Sequence, residues 1–184
     1  MATPPRELTA TEMLDLLAEL GARLQARGVE AQLYLVGGAA IAFSFDTRRV
    51  TADIDAIFHP ETTVKEEAEA MAEDHDLPRN WWNSNARAFL PGADDDAVSL
   101  AVPGLSVSVA SPEHLLAMKM ASYRPGKDQA DLELLFHTLA IASAQEAADL
   151  ALRISGEHTV VLPERDELIL SAEAILDRMS GGGG

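Results

Sequence analysis

Residues 34–58, YLVGGAAIAFSFDTRRVTADIDAIF, decide the reading of this chain. An apolar run ends in Gly37-Gly38. A short apolar segment predicts a helix over roughly 38–45, followed by a loop carrying Arg48 and Arg49. Asp53-Ile54-Asp55 then sits between apolar residues, in a strand expected over 52–58. On a strand, alternate side chains share a face, so both carboxylates point one way and Ala52, Ile54 and Ala56 the other. Two like charges so close repel unless water or a cation lies between them. Mg²⁺ prefers carboxylate oxygens combined with substrate phosphates, and such ions can activate a hydroxyl and steady a departing pyrophosphate. A glycine pair that closes a strand and opens a helix lets backbone N–H groups meet phosphate oxygens. Each feature alone has a plainer explanation, a polar strand face or a tight turn that needs glycine for its own geometry. In this order, the two together point to metal-dependent nucleotide chemistry.

Upstream, Met13, Leu16, Leu17, Leu20 and Leu24 recur at helical spacing and predict a helix over 10–27. Thr9 and Glu12 form a candidate capping box, and Gly28 a stop. Residues 31–36 read as a strand. Downstream, 62–75 reads as an acidic helix and 77–92 as loop, with Trp81 and Trp82 as loop anchors or, alternatively, stacking surfaces for a base. The apolar segments 97–102 and 105–109 flank Pro103-Gly104 and predict a hairpin. Ser111-Pro112 starts a helix that runs to about Ser122. Further helices are expected over 128–141, 143–154 and 163–179, before a disordered tail Gly181–Gly184. Strands in front and helices behind give an α+β fold. The division is a core over 1–110 and a helical region over 111–184 packed on it.

The helical region holds the second set of candidates. Lys119 stands among Leu115, Leu116, Met118 and Met120, so it either snorkels or faces a polar cleft where it could contact triphosphate oxygens. Asp128 and Asp131 are three apart and share a helical face. Asp128 suits a helix cap. Asp131 suits a residue that orients Lys119 or the attacking hydroxyl. Arg48, Arg49 and Thr51 precede the acidic motif and suit a phosphate tail or an acceptor backbone, or else a solvated loop. The five histidines show no metal-ligand spacing.

These residues resemble the minimal nucleotidyltransferases of the DNA polymerase β superfamily, most closely the branch of abortive-infection type E toxins and mycobacterial tRNA-modifying toxins. The resemblance spans about residues 30–140. It rests on Gly37-Gly38, on Asp53 and Asp55, on Lys119, and on Asp131 with Asp128 beside it. Ser111–Leu135 (SPEHLLAMKMASYRPGKDQADLELL) carries the last two motifs. The resemblance implies a polymerase-β-like core and transfer of a nucleoside monophosphate from an NTP. It implies Asp53 and Asp55 as metal ligands, Lys119 on the phosphates and Asp131 in catalysis. It further implies a tRNA 3′ end as acceptor, blocked translation and a cognate antitoxin. Two departures stand out. The stretch 105–109 offers Ser106 and Ser108 where many relatives carry a third carboxylate, and Gly38 stands where others have serine.

Charge narrows the partners. A net charge of −16 with only Lys65, Lys119 and Lys127 as lysines excludes a protein that coats nucleic acid. RNA contact must be local, through Arg48, Arg49, Arg124 and Lys127. No cysteine is present, which excludes disulfides and fits a cytoplasmic protein. No leader pattern and no run of eighteen apolar residues is visible, so no membrane association is expected. Two other readings fit the same residues. One is transfer to a small molecule of aminoglycoside type or to a protein hydroxyl, which the acidic charge favours. The other is a non-catalytic nucleotide- or partner-binding member.

Overall fold

The computed structural model describes residues 6–181. In chain order the elements are β1 (Leu8–Thr9), α1 (Ala10–Ala26), β2 (Ala31–Leu35), α2 (Gly37–Ser44), β3 (Val50–Thr51), β4 (Ile54–His59), α3 (Glu61–Asp74), β5 (Trp82–Asn83), a 3₁₀ turn (Asn85–Phe89), β6 (Val98–Val102), β7 (Leu105–Val109), α4 (Pro112–Ala121), α5 (Gln129–Thr138), α6 (Ala144–Ser155) and α7 (Arg165–Gly181). This is an α+β architecture. It divides into two compact units, residues 1–86 with 97–110, and residues 87–96 with 111–184.

In the first unit, α1 starts at a complete capping box. The Thr9 hydroxyl accepts from the Glu12 N–H, and the Glu12 carboxylate accepts from the Thr9 N–H. Its apolar stripe, Met13, Leu16, Leu17, Leu20 and Leu24, is buried. Burial of each of these side chains contributes about 1.5–3 kcal/mol. A five-stranded sheet runs in the order β5-β4-β2-β7-β6. Strand β2 pairs antiparallel with β4 and parallel with β7. The parallel pair follows from the long crossover between them, and β6–β7 is the hairpin expected around Pro103-Gly104. One sheet face carries Leu33, Leu35, Ile54, Ala56, Phe58, Val107 and Val109, all buried. The other carries Gln32, Tyr34, Asp55, Ser106 and Ser108, none of them buried.

Trp81 and Trp82 anchor the loop rather than offer a stacking surface. Both are buried, and the Trp81 indole donates to the Ala68 carbonyl at 2.9 Å. Within the segment expected to be loop, Trp82-Asn83 forms β5, parallel to β4. Helix α1 also approaches the hairpin closely at Gly21. A Cβ there would sit 2.2 Å from the Pro103 carbonyl oxygen, a backbone atom with little room to yield. Gly21→Ala is therefore expected to destabilise the first unit by about 1–3 kcal/mol despite its gain in helix propensity. Urea unfolding checks this, and a more stable variant would refute the close approach.

In the second unit, α4 packs on α6, α5 and α7, and α6 on α7. Ser111 caps α4, its hydroxyl accepting from the His114 N–H, with Pro112 in the first turn. Residues 87–96 join this unit through specific bonds. Asp94 accepts from the Ser111 N–H at 2.8 Å, and Ala88 accepts from the Val161 N–H at 3.4 Å. Helix α7 extends through Gly181, the residue at which the sequence places the start of the tail. Gly182–Gly184 lie outside the described residues. Among the described residues no helix is long and apolar enough to cross a membrane.

Candidate active site

Strand β2 ends at Leu35, and one further backbone bond, from the Val36 N–H to the Asp55 carbonyl at 3.0 Å, carries the chain alongside Asp55. Gly37 then turns with φ +61°, a left-handed conformation that favours glycine. A Cβ on Gly37 would lie 3.0 Å from Asp55 Oδ2, and a Cβ on Gly38 would lie 2.8 Å from Thr51 Oγ1. The glycine pair is thus needed for close approach to the acidic motif as well as for the turn. Helix α2 begins here with no side-chain cap. Its first internal backbone bond runs from Ala40 to Val36, so the Gly37, Gly38 and Ala39 N–H groups have no acceptor within the helix.

The two aspartates are held differently. Asp55 lies in β4, in register with Asn83 of β5, while Ile54 and Ala56 on either side are buried. Asp53 does not lie in the strand, as the alternation predicts, but just ahead of it, because β4 begins at Ile54. Its placement comes from side chains instead. Thr51 Oγ1 donates to the Asp53 carbonyl at 3.1 Å, and Asn83 Nδ2 donates to Asp53 Oδ2 at 3.1 Å. Gly37, Gly38, Thr51, Asp53 and Asp55 therefore come together in the first unit. Arg48 is 92% exposed and pairs with Asp46 at 3.3 Å. Arg49 is partly exposed in the same loop, its N–H donating to the Asp46 carbonyl.

The donors fit a hard divalent cation shared with phosphate. Two carboxylates stand near the start of helix α2, whose first N–H groups have no acceptor within the helix, and the missing Cβ atoms of Gly37 and Gly38 let Asp55 and Thr51 come this close to it. Among the described residues no group of three or more His, Cys, Asp or Glu could hold a metal by itself. Mg²⁺ bound by one or two carboxylates plus substrate oxygens matches such a set. A closed zinc site would need four protein ligands.

Lys119 and Asp131 belong to the second unit. The Lys119 ammonium lies 2.7 Å from Asp128 Oδ1 and 2.7 Å from Asp131 Oδ2, with its side chain 12% exposed. It is neither a snorkelling lysine nor an isolated one. Asp128 does not cap α5 with its side chain as the sequence suggests. Its fully buried carboxylate accepts from Lys119 Nζ and from the Arg124 N–H, Nε and Nη2, at 2.7–3.1 Å. Burial pushes the Asp128 carboxyl up, but the Arg124 and Lys119 hydrogen bonds and charges outweigh it and hold the group below the usual carboxylate range. Sequence reasoning missed Asn83 altogether and missed Arg124 as a partner of Asp128. A two-residue strand has no periodicity to read, but the four-residue spacing from Arg124 to Asp128 was a visible signal.

A family model described as "Nucleotidyltransferase of unknown function (DUF6036)" matches residues 11–141. No curated protein matches the chain. Among solved structures, an antigenic nucleotidyltransferase-like protein from Paracoccidioides brasiliensis is similar in fold. It has 16% identity and a TM-score of 0.50, covering 95% of this chain and 94% of that one. At this identity the likeness is one of fold alone.

Proposed function

The chain belongs to the DUF6036 family of nucleotidyltransferases, and from that premise we propose a Mg²⁺-dependent enzyme that moves a nucleoside monophosphate from an NTP to an RNA acceptor, the tRNA 3′ end. The observation that carries this reading is the close approach of Gly37 to Asp55 and of Gly38 to Thr51. It supports a reading in which the N–H groups at the start of α2 and the two carboxylates share one triphosphate. Mg²⁺, when bound, would neutralise charge on the triphosphate and on the departing pyrophosphate. Asp53 and Asp55 would hold the cation, the Gly37 and Gly38 N–H groups would donate to phosphate oxygens, and Thr51 would hold Asp53 beside them through its bond to the Asp53 carbonyl. The acceptor hydroxyl oxygen bonds to the α-phosphorus, the bond from that phosphorus to the oxygen bridging to the β-phosphate breaks, pyrophosphate leaves, and the hydroxyl proton passes to solvent. Catalysis of this kind is positioning plus charge neutralisation. Within the second unit, Asp131 has the role the resemblance implies for it, orienting Lys119. Their 2.7 Å pair supports the orienting role.

The same resemblance supports a cytoplasmic toxin that blocks aminoacylation and is restrained by a cognate antitoxin. The test is incubation with each α-labelled NTP, Mg²⁺ and total RNA. Label at tRNA 3′ ends is expected, together with growth arrest on expression. Label in a protein or small-molecule fraction alone would replace the acceptor. The net charge of −16 favours that second reading, since it suits a cationic acceptor.

At the RNA face, replacing Arg48 and Arg49 together should weaken RNA binding and tRNA modification more than it weakens NTP binding. Each lost contact to single-stranded phosphate should lower the slope of log affinity against log salt by about 0.7. An unchanged slope would remove both arginines from the interface.

A further inference from the structure

Asp53 is the less secured of the two carboxylates. Asp55 sits in the β4 ladder between buried Ile54 and Ala56, whereas Asp53 lies in the link between β3 and β4. What aims the Asp53 side chain must come from outside the strand. Among the described residues one side chain does so, Asn83, whose Nδ2 donates to Asp53 Oδ2 at 3.1 Å.

The amide of Asn83 is itself fixed. Its Oδ1 accepts the Asn85 N–H at 3.0 Å, where the 3₁₀ turn begins. Turning the amide over would bring its oxygen against a carboxylate and its NH₂ against a backbone N–H, two repulsive contacts in place of two hydrogen bonds. The NH₂ group must therefore face Asp53. Strand β5 sets the position, since parallel pairing places Asn83 opposite Asp55 on the same sheet face. Tilted ring contacts of Trp82 with Phe58 and Trp81, at centroid distances of 5.4 and 5.7 Å, hold β5 in place. Asn83 thus spans the two carboxylates, in register with one and hydrogen-bonded to the other.

We propose that Asn83 is the positioning residue of the metal pair, engaging one oxygen of Asp53 so that the other is turned toward the cation. This rests on the metal reading of Asp53 and Asp55. A neutral donor has a specific advantage here. An acid at position 83 would put a third negative charge against Asp53, whereas the amide orders the carboxylate without adding to the repulsion. Groups that hydrogen-bond a metal-ligating carboxylate typically change metal affinity 10- to 100-fold when removed. The site then depends on Asn83 for geometry and on the substrate's phosphates for its remaining oxygens.

The test is a Mn²⁺ titration, followed by electron paramagnetic resonance, in the presence of inorganic triphosphate, which needs no knowledge of the base. Wild type, Asn83→Ala, Asp53→Ala and the double variant are compared, each with its thermal midpoint. Asn83→Ala should weaken Mn²⁺ binding about 10- to 100-fold, with a thermal midpoint close to wild type. In the Asp53→Ala background the same change should have no further effect, because the carboxylate it positions is gone. If Asp53→Ala weakens binding but Asn83→Ala does not, the positioning role is wrong and the metal pair stands. If Asn83→Ala costs as much in the Asp53→Ala background, its effect is structural and the proposal is overturned. If Asp53→Ala itself leaves Mn²⁺ binding unchanged, the metal reading fails and this inference with it.

Discussion

Asp53→Ala and Asp55→Ala should each reduce nucleotidyl transfer by a factor on the order of 10³ or more while leaving the protein folded. The magnitude follows from the several kcal/mol of transition-state charge stabilisation that a bound divalent ion supplies, at about 1.36 kcal/mol per tenfold in rate. Neither carboxylate is buried in the core, and the sheet packs through Ile54, Ala56 and Phe58 on the opposite face. Removing a carboxylate should therefore leave the unfolding midpoint within a few degrees of wild type, and could raise it by relieving repulsion. Asp55→Ala should also loosen the contact that makes glycine necessary at position 37, where a Cβ would meet Oδ2 at 3.0 Å. Rates measured with saturating NTP beside thermal melts separate loss of chemistry from loss of fold. Full activity in either variant would remove that carboxylate from the site.

The second large effect is on stability. Asp128 is fully buried and accepts four hydrogen bonds from Lys119 and Arg124. Asp128→Ala should destabilise the second unit by about 3–5 kcal/mol, because removing one partner of a buried pair leaves the others uncompensated. Its dependence on pH has a definite sign. The folded-state pKa of Asp128 is depressed by Arg124 and Lys119 despite its burial. Its stabilising contribution is therefore present above the unfolded-state value near 3.9 and lost as pH falls through the lower folded value. Urea unfolding should show a gap between wild type and Asp128→Asn that is constant near neutrality and narrows below about pH 4. A gap independent of pH would mean that charge at Asp128 is not what stabilises the unit.

The elements legible in the sequence were those whose signals are local. Thr9 and Glu12 announce the start of α1, and the Leu16–Leu24 stripe its buried face. Pro103-Gly104 announces the β6–β7 turn. The adjacency of the glycine pair to the acidic motif was legible in outline, since a strand-turn-helix followed by a returning strand brings the two together. What could not be read depends on partners distant in sequence. Asn83 reaches Asp53 across thirty positions, from a two-residue strand placed by tryptophan packing. Asp128 looked like a helix cap because capping is what aspartate at a helix start usually does. Its side chain is drawn away by Lys119, nine residues earlier. The displacement of Asp53 out of β4 has the same character. Alternation gives the face, but the strand begins only where pairing with its neighbours begins.

Pyrophosphate release tests the central claim most directly, because it does not require the acceptor to be known. The protein is incubated with all four NTPs, Mg²⁺ and a cleared lysate as the source of acceptors, and pyrophosphate is followed by a coupled phosphatase assay. The account predicts release that a chelator stops, that Mg²⁺ restores, and that is absent in both Asp53→Ala and Asp55→Ala. Release that persists in both variants, or no release by the wild-type protein with any NTP, would contradict it.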